Sequence, residues 1–206
     1  MISLLAKIGK NVKMMTSKKI AVTGGIASGK STVCRLFAEC GAYTINSDTI
    51  VHTLLDTDST LQKTISTLVG YDISTVERAV IAKDVFDDPQ MLRRLEEILH
   101  PQVICEIKKQ YNKVKNTEKP SLFVVEVPLL FEASHENFYD TVITVSTNDT
   151  TCRKRSKYDE EQYTKRMERQ LDTKDKAAAA DVVINNDGTI EDLRKQVRDC
   201  YDALVK

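Results

Sequence analysis

Eight consecutive residues, Gly24-Gly25-Ile26-Ala27-Ser28-Gly29-Lys30-Ser31, fit the pattern G-x-x-x-x-G-K-[ST] at every position. Such a loop needs a strand before it and a helix after it, so it constrains the architecture before any other feature does. Upstream, Lys18-Lys19-Ile20-Ala21-Val22-Thr23 ends in the β-branched and small apolar residues of a buried parallel strand. Downstream, Val33, Leu36, Phe37 and Cys40 recur at helical spacing, and Gly41 stands where a helix C-cap glycine belongs. Between them, glycine N–H groups approach a phosphate chain, an ammonium meets the β- and γ-phosphates and a hydroxyl meets Mg²⁺. The helix N-terminus adds its positive dipole end. Gly25, Ile26, Ala27, Ser28, Gly29, Lys30, Ser31 and Thr32 are the candidate nucleotide contacts, with Ser31 also the candidate metal ligand. The pattern specifies a nucleoside triphosphate and leaves the reaction open.

Strand-like runs recur at 18–23, 42–46, 121–127, 140–146 and 181–185, separated by longer helical patterns. That alternation predicts an α/β fold, a parallel sheet with helices on both faces. Residues 47–120 show no convincing strand and several helix signals. Ser74-Thr75-Val76-Glu77 reads as a capping box and Asp88-Pro89 as an N-cap followed by an N1 proline. His100-Pro101 reads as a boundary where one helix ends and another starts. A second helical stretch, 149–179, carries Arg153, Lys154, Arg155 and Lys157, then Arg166 and Arg169. Such a run is either a solvated face or a cationic lid that neutralises a transferring phosphoryl group.

At 206 residues the chain has room for one well-buried domain. Its formal net charge of zero gives no global pull toward nucleic acid or an anionic surface. The five scattered cysteines form no C-x-x-C pair and read as free thiols of a reducing, cytoplasmic compartment. No apolar run reaches the ~20 residues that span a bilayer. The weakly basic residues 1–17 contain no arginine and no signal-like core, and are expected to be an N-terminal tail, disordered and outside the folded unit.

A further series of local signatures follows in fixed order: Asn46-Ser47-Asp48, Val85-Phe86, Leu99-His100-Pro101, Val127-Pro128-Leu129-Leu130-Phe131-Glu132, Arg166…Gln170 and Ala180-Asp181-Val182-Val183-Ile184-Asn185-Asn186-Asp187-Gly188. With the loop, this series closely resembles the dephospho-coenzyme A kinase family over residues 18–205. The resemblance implies transfer of the γ-phosphoryl of ATP, with Mg²⁺, to the ribose 3′-hydroxyl of dephospho-coenzyme A, the last step in making coenzyme A. It implies a three-layer P-loop kinase with a five-stranded parallel sheet. The core would be 18–47, 120–148 and 180–206, with a helical substrate-binding insertion at 48–119 and a lid at 149–179.

Residue by residue, the resemblance makes Lys30, Asp48 and Arg153 catalytic. Asp48 matches the second acidic position of a family Asp-x-Asp and would take the hydroxyl proton, since an alcohol needs a base within reach. A plainer role for Asp48 is a helix N-cap. The first acidic position is Asn46 here, and the second of two lid arginines falls on Lys157, which lacks the bidentate fork. Arg78, His100, Pro128 and Leu129 fall on the substrate side, and Asn186 in a loop lining the adenine. For Arg78 an exposed helix charge, for His100 a structural residue before proline, and for Asn186 an ordinary turn are equally simple readings. Two other functions share the loop: a small kinase acting on a nucleoside, nucleotide or metabolite, and a nucleotide switch signalling through a partner. The expected partner is the small substrate alone, the chain being a monomer or weak homo-oligomer.

Overall fold

The computed structural model describes residues 17–115, 117 and 121–206. Five parallel strands form one sheet: β1 (Lys18–Gly24), β2 (Tyr43–Asn46), β3 (Leu122–Glu126), β4 (Thr141–Ser146) and β5 (Val182–Asn185), in the order β2-β3-β1-β4-β5. Each expected strand is present, shifted at its ends by a residue or so. The two-residue period of a strand sorts its side chains to opposite faces. Ile20, Val22, Leu122, Val124, Ile143 and Val145 enter one core, packed on helices α1 (Lys30–Glu39) and α9 (Ile190–Leu204) through Phe37, Leu193 and Val197. The interleaved Ala21, Phe123, Val125 and Val142 enter the other, with Ile50 and Ile107. Both faces are covered, so the strands carry the near-continuous apolar runs of a parallel sheet.

Among the described residues, four α-helices lie between β2 and β3: α2 (Ser47–Thr57), α3 (Ser59–Val69), α4 (Arg78–Asp87) and α5 (Pro89–Val114). Three more, α6 (Asp149–Arg155), α7 (Glu160–Met167) and α8 (Thr173–Ala179), lie between β4 and β5. Local chemistry sets several boundaries. Gly41, at φ 101°, donates its N–H to Ala38 O while Ala42 N–H reaches Phe37 O, the paired bonds of a Schellman stop for α1. Asp88 caps α5 by accepting from the N–H groups of Gln90 and Met91, with Pro89 at the first helical position.

Two expected helix signals are corrected. Ser74 and Thr75 lie in a 3-10 turn, Ile73–Thr75, whose cap is Asp72, and α4 starts four residues after Ser74 with no side-chain cap. Asp72 precedes the serine and its Oδ1 accepts from both the N–H and the hydroxyl of Ser74, so that hydroxyl is engaged behind it and opens no helix ahead. His100-Pro101 is no boundary: α5 runs through it for 26 residues. An internal proline costs roughly 3 kcal/mol, and packing on both sides outweighs it here. Leu95, Ile98 and Leu99 pack against Leu61 and Ile65 before the proline, and Val103, Ile104 and Ile107 join the sheet core after it. The five cysteines are free, and no described helix is long and apolar enough to cross a membrane. The expected tail, apart from Ser17, lies outside the described residues.

Candidate active site

The parallel register draws three strand ends to one place. Val22 pairs with Glu126 and Glu126 with Asn46, so β3 and β2 end at the level of Val22, two residues before β1 itself ends at Gly24. From there β1 runs into the Gly24–Ser31 loop, while β2 runs directly into α2 with Asp48 in its first turn. Ligand sites in open α/β sheets form at this carboxyl edge.

Two backbone positions require glycine. A Cβ on Gly24 would lie 2.5 Å from the carbonyl oxygen of Val145, and one on Gly29 would lie 2.1 Å from Nδ2 of Asn186. Gly29, at φ 97°, is the N-cap of α1. Lys30 follows, its ammonium folded back to donate to Gly25 O at 2.8 Å and Gly24 O at 3.2 Å. Burial lowers its pKa below the ordinary lysine value. Glu126 chiefly opposes that shift, Lys176 adds to it, and Asp48 opposes it. A desolvated cation of this kind is suited to an anionic ligand, whose charge supplies what the missing water does not.

Ser31 Oγ donates to Glu126 Oε1 at 2.9 Å, and Glu126 is buried. Asp48 is exposed at the rim. Crowding by protein, then the charge of Glu126, raises its pKa above the ordinary value, while Lys30 and His52 pull it down. The cap of α2 is Asn46, whose Oδ1 accepts from Thr49 N–H at 3.0 Å. The departure at Asn46 thus has a local use, and the capping role considered for Asp48 is already filled. Ser31, Glu126 and Asp48 supply the hard oxygen donors that fit Mg²⁺, which takes few protein ligands and keeps phosphate oxygens and water.

The basic segment is organised within itself. Arg153 donates through Nε to Asp149 Oδ2 at 2.6 Å and through Nη1 to Glu160 Oε1, and lies 4.8 Å above the buried Tyr163 ring. These contacts tie α6 to α7 instead of placing Arg153 on the loop. Lys157 and Arg166 both lie over Tyr158, at 5.5 and 4.2 Å from its centroid. His100 packs edge-on to His135 with centroids 5.1 Å apart, and burial lowers the pKa of both. Pro128 O accepts from Thr23 Oγ1 at 3.3 Å and from Lys176 Nζ at 3.1 Å, while Leu129 is exposed beside it. Arg78 opens α4, and its side chain lies outside the described set. Asn186 is buried with its amide on the loop, Nδ2 donating to Ser28 O at 2.8 Å.

Lys176 was invisible in the sequence. Sitting in an ordinary Lys-Asp-Lys helical run, it is fully buried in the fold and pairs with Glu132 Oε1 at 2.8 Å. Thr147, whose Oγ1 donates to Ser28 O at 2.9 Å, carried no signal either. Glu126 did carry one, as the acidic residue ending the most apolar strand run.

A phosphate loop at the carboxyl edge of a five-stranded parallel sheet, with a buried lysine, a hydroxyl–carboxylate pair and a second carboxylate at the rim, defines a P-loop phosphotransferase. The sequence profile of dephospho-CoA kinase matches residues 18–192, and the chain belongs to that family. A dephospho-CoA kinase of Protochlamydia amoebophila is 37% identical over 93% of this chain and 98% of its own. Among solved structures, TT1252 from Thermus thermophilus superposes with a TM-score of 0.78 at 25% identity, covering 92% of this chain and 98% of its own. A dephospho-CoA kinase from Campylobacter jejuni gives 0.61 at 26%, covering 91% and 97%.

Removing the loop ammonium has a direct cost. Lys30→Met is expected to lower kcat/KM by about 10²–10³, the usual effect of deleting one preorganised charge donor. It should also abolish the rise in melting temperature that Mg-ATP gives the parent protein; a variant still stabilised by Mg-ATP and turning over normally would remove Lys30 from the site.

Proposed function

We propose that this protein transfers the γ-phosphoryl group of Mg-ATP to the ribose 3′-hydroxyl of dephospho-coenzyme A, yielding coenzyme A and ADP in the cytoplasm. The observation that carries the reading is the convergence of Lys30, Ser31–Glu126 and Asp48 at one strand edge in a chain of this family. Asp48 accepts the 3′-hydroxyl proton as that oxygen bonds to the γ-phosphorus, and the bond from the γ-phosphorus to the β,γ-bridging oxygen breaks with its electrons leaving on ADP. Lys30 neutralises charge on the β- and γ-phosphates, and the loop N–H groups orient them. Ser31 and Glu126, with Asp48 beside them, would hold Mg²⁺, which supplies electrostatic relief to the phosphate oxygens when bound.

The helices of 48–119 form the substrate side, with Arg78, His100, Pro128 and Leu129 as candidate contacts. The 149–179 segment is the lid. Arg153 reaches the phosphates only by exchanging Asp149 and Glu160 for the nucleotide. The test is direct: incubate the purified protein with Mg-ATP and dephospho-coenzyme A, and detect the 80-dalton gain of coenzyme A by mass spectrometry, the mass of one added phosphoryl group (roughly 80 by atomic composition). Efficient phosphorylation of nucleosides or nucleoside monophosphates, with dephospho-coenzyme A untouched, would overturn it.

A further inference from the structure

The carbonyl of Ser28 is gripped by two side chains from outside the loop. Thr147, just after β4, donates through Oγ1 at 2.9 Å, and Asn186, just after β5, donates through Nδ2 at 2.8 Å. Both donors are buried, at 6% and 7% exposure, so neither bond competes with bulk water. Asn186 is itself held at both ends of its backbone: its N–H donates to Ser146 O at 2.8 Å, and its carbonyl accepts from Arg155 Nη1 at 3.4 Å. The amide comes so close to the loop that Gly29 has no room for a Cβ.

The Ser28 carbonyl and the Gly29 N–H belong to one peptide unit, which is planar and trans, so the two groups point in opposite directions. Pinning the carbonyl onto Thr147 and Asn186 therefore turns the Gly29 N–H away from both, at the start of α1. We propose that Thr147 and Asn186 are positioning residues for the phosphate loop, setting the Gly29 N–H toward the triphosphate before nucleotide arrives. This rests on the phosphate-binding part of the reading above and replaces an adenine-reading role for the Asn186 amide nitrogen with a structural one inside the same site. A donor held in place in advance costs no reorganisation when charge develops on the phosphates. Because Arg155 belongs to α6, the same residue joins the loop to the lid.

The test uses Thr147→Val, which keeps shape and deletes the hydroxyl; Thr147→Ser, which restores it; and Asn186→Leu, which deletes the amide. Binding of a non-hydrolysable ATP analogue with Mg²⁺ is titrated directly, without acceptor, and KM and kcat are then measured for each substrate. Loss of either donor is expected to weaken analogue binding about tenfold, the usual consequence of leaving a buried acceptor short of a partner. The acceptor KM should stay within threefold, and Thr147→Ser should recover the affinity. Unchanged analogue binding in Thr147→Val would overturn the proposal, as would a Thr147→Ser variant no better than Thr147→Val. If Asn186→Leu does not fold, the two Thr147 variants decide. The titration contains no dephospho-coenzyme A, so a wrong acceptor assignment leaves its outcome unaffected.

Discussion

Asp48→Asn is expected to lower kcat by roughly 10²–10⁴, the range of a positioned general base, while Mg-ATP still binds. Stability should not follow activity down. Asn46, not Asp48, caps α2, so the substitution removes no cap. The pKa of Asp48 is raised, first by the protein crowded against the inner side of this rim residue and then by Glu126, so the folded state favours the protonated carboxyl relative to the unfolded chain. That contribution is fully present below the unfolded aspartate pKa, near 3.9, and is lost as pH rises through the folded value. At neutral pH the ionised carboxylate is a burden on the fold that asparagine does not carry. The melting temperature of Asp48→Asn should therefore equal or exceed the parent's at pH 7, with the difference closing toward pH 3. The acid limb of kcat/KM, governed by this group, should lie above the ordinary aspartate value in the parent and vanish in the variant. A variant that melts early yet retains near-parental kcat would show that Asp48 is structural.

Lys176→Met should be the costliest single change to the fold. The ammonium is fully buried, pairs with Glu132 at 2.8 Å and donates to Pro128 O. Glu132 is itself mostly buried, and its Oε2 has no hydrogen-bond partner among the described residues. Removing the cation leaves a desolvated carboxylate supported, among the described residues, by Leu171 N–H at Oε1. Breaking a buried pair from one side typically costs about 3–5 kcal/mol, or on the order of 10 °C in melting temperature for a chain of this length. Replacing both partners, Lys176→Met with Glu132→Leu, should recover much of the loss, since well-packed apolar groups often match a buried pair. A single variant melting within 2 °C of the parent, a margin of about 1 kcal/mol or less, would mean the pair contributes nothing net.

The elements that were legible in the sequence rest on local rules. The Gly24–Ser31 loop demands particular atoms at particular spacings, the strands declare themselves by buried β-branched runs, and Gly41 and Asp88-Pro89 mark helix ends through backbone conformations few other residues supply. The misread elements are those where distant packing competes with a local preference. Pro101 should end a helix by its own chemistry, yet apolar contacts on both sides carry α5 past it. Ser74 should open a helix, yet Asp72 takes the turn first.

The same division runs through the site. From sequence alone came the class of ligand, the identity of Lys30 and Ser31, the candidate base Asp48 and the basic run around Arg153, because each is a matter of residue type and spacing. Only the tertiary structure decided how they meet: the register of β2, β3 and β1 sets Asp48 and Glu126 beside the loop, and the β4 and β5 ends bring Thr147 and Asn186 onto Ser28. It also gave Lys176 its role, and Arg153 its present partners Asp149 and Glu160. A residue's chemistry is written in its side chain, but its desolvation and its charged neighbours exist only once chain segments over a hundred residues apart have packed together.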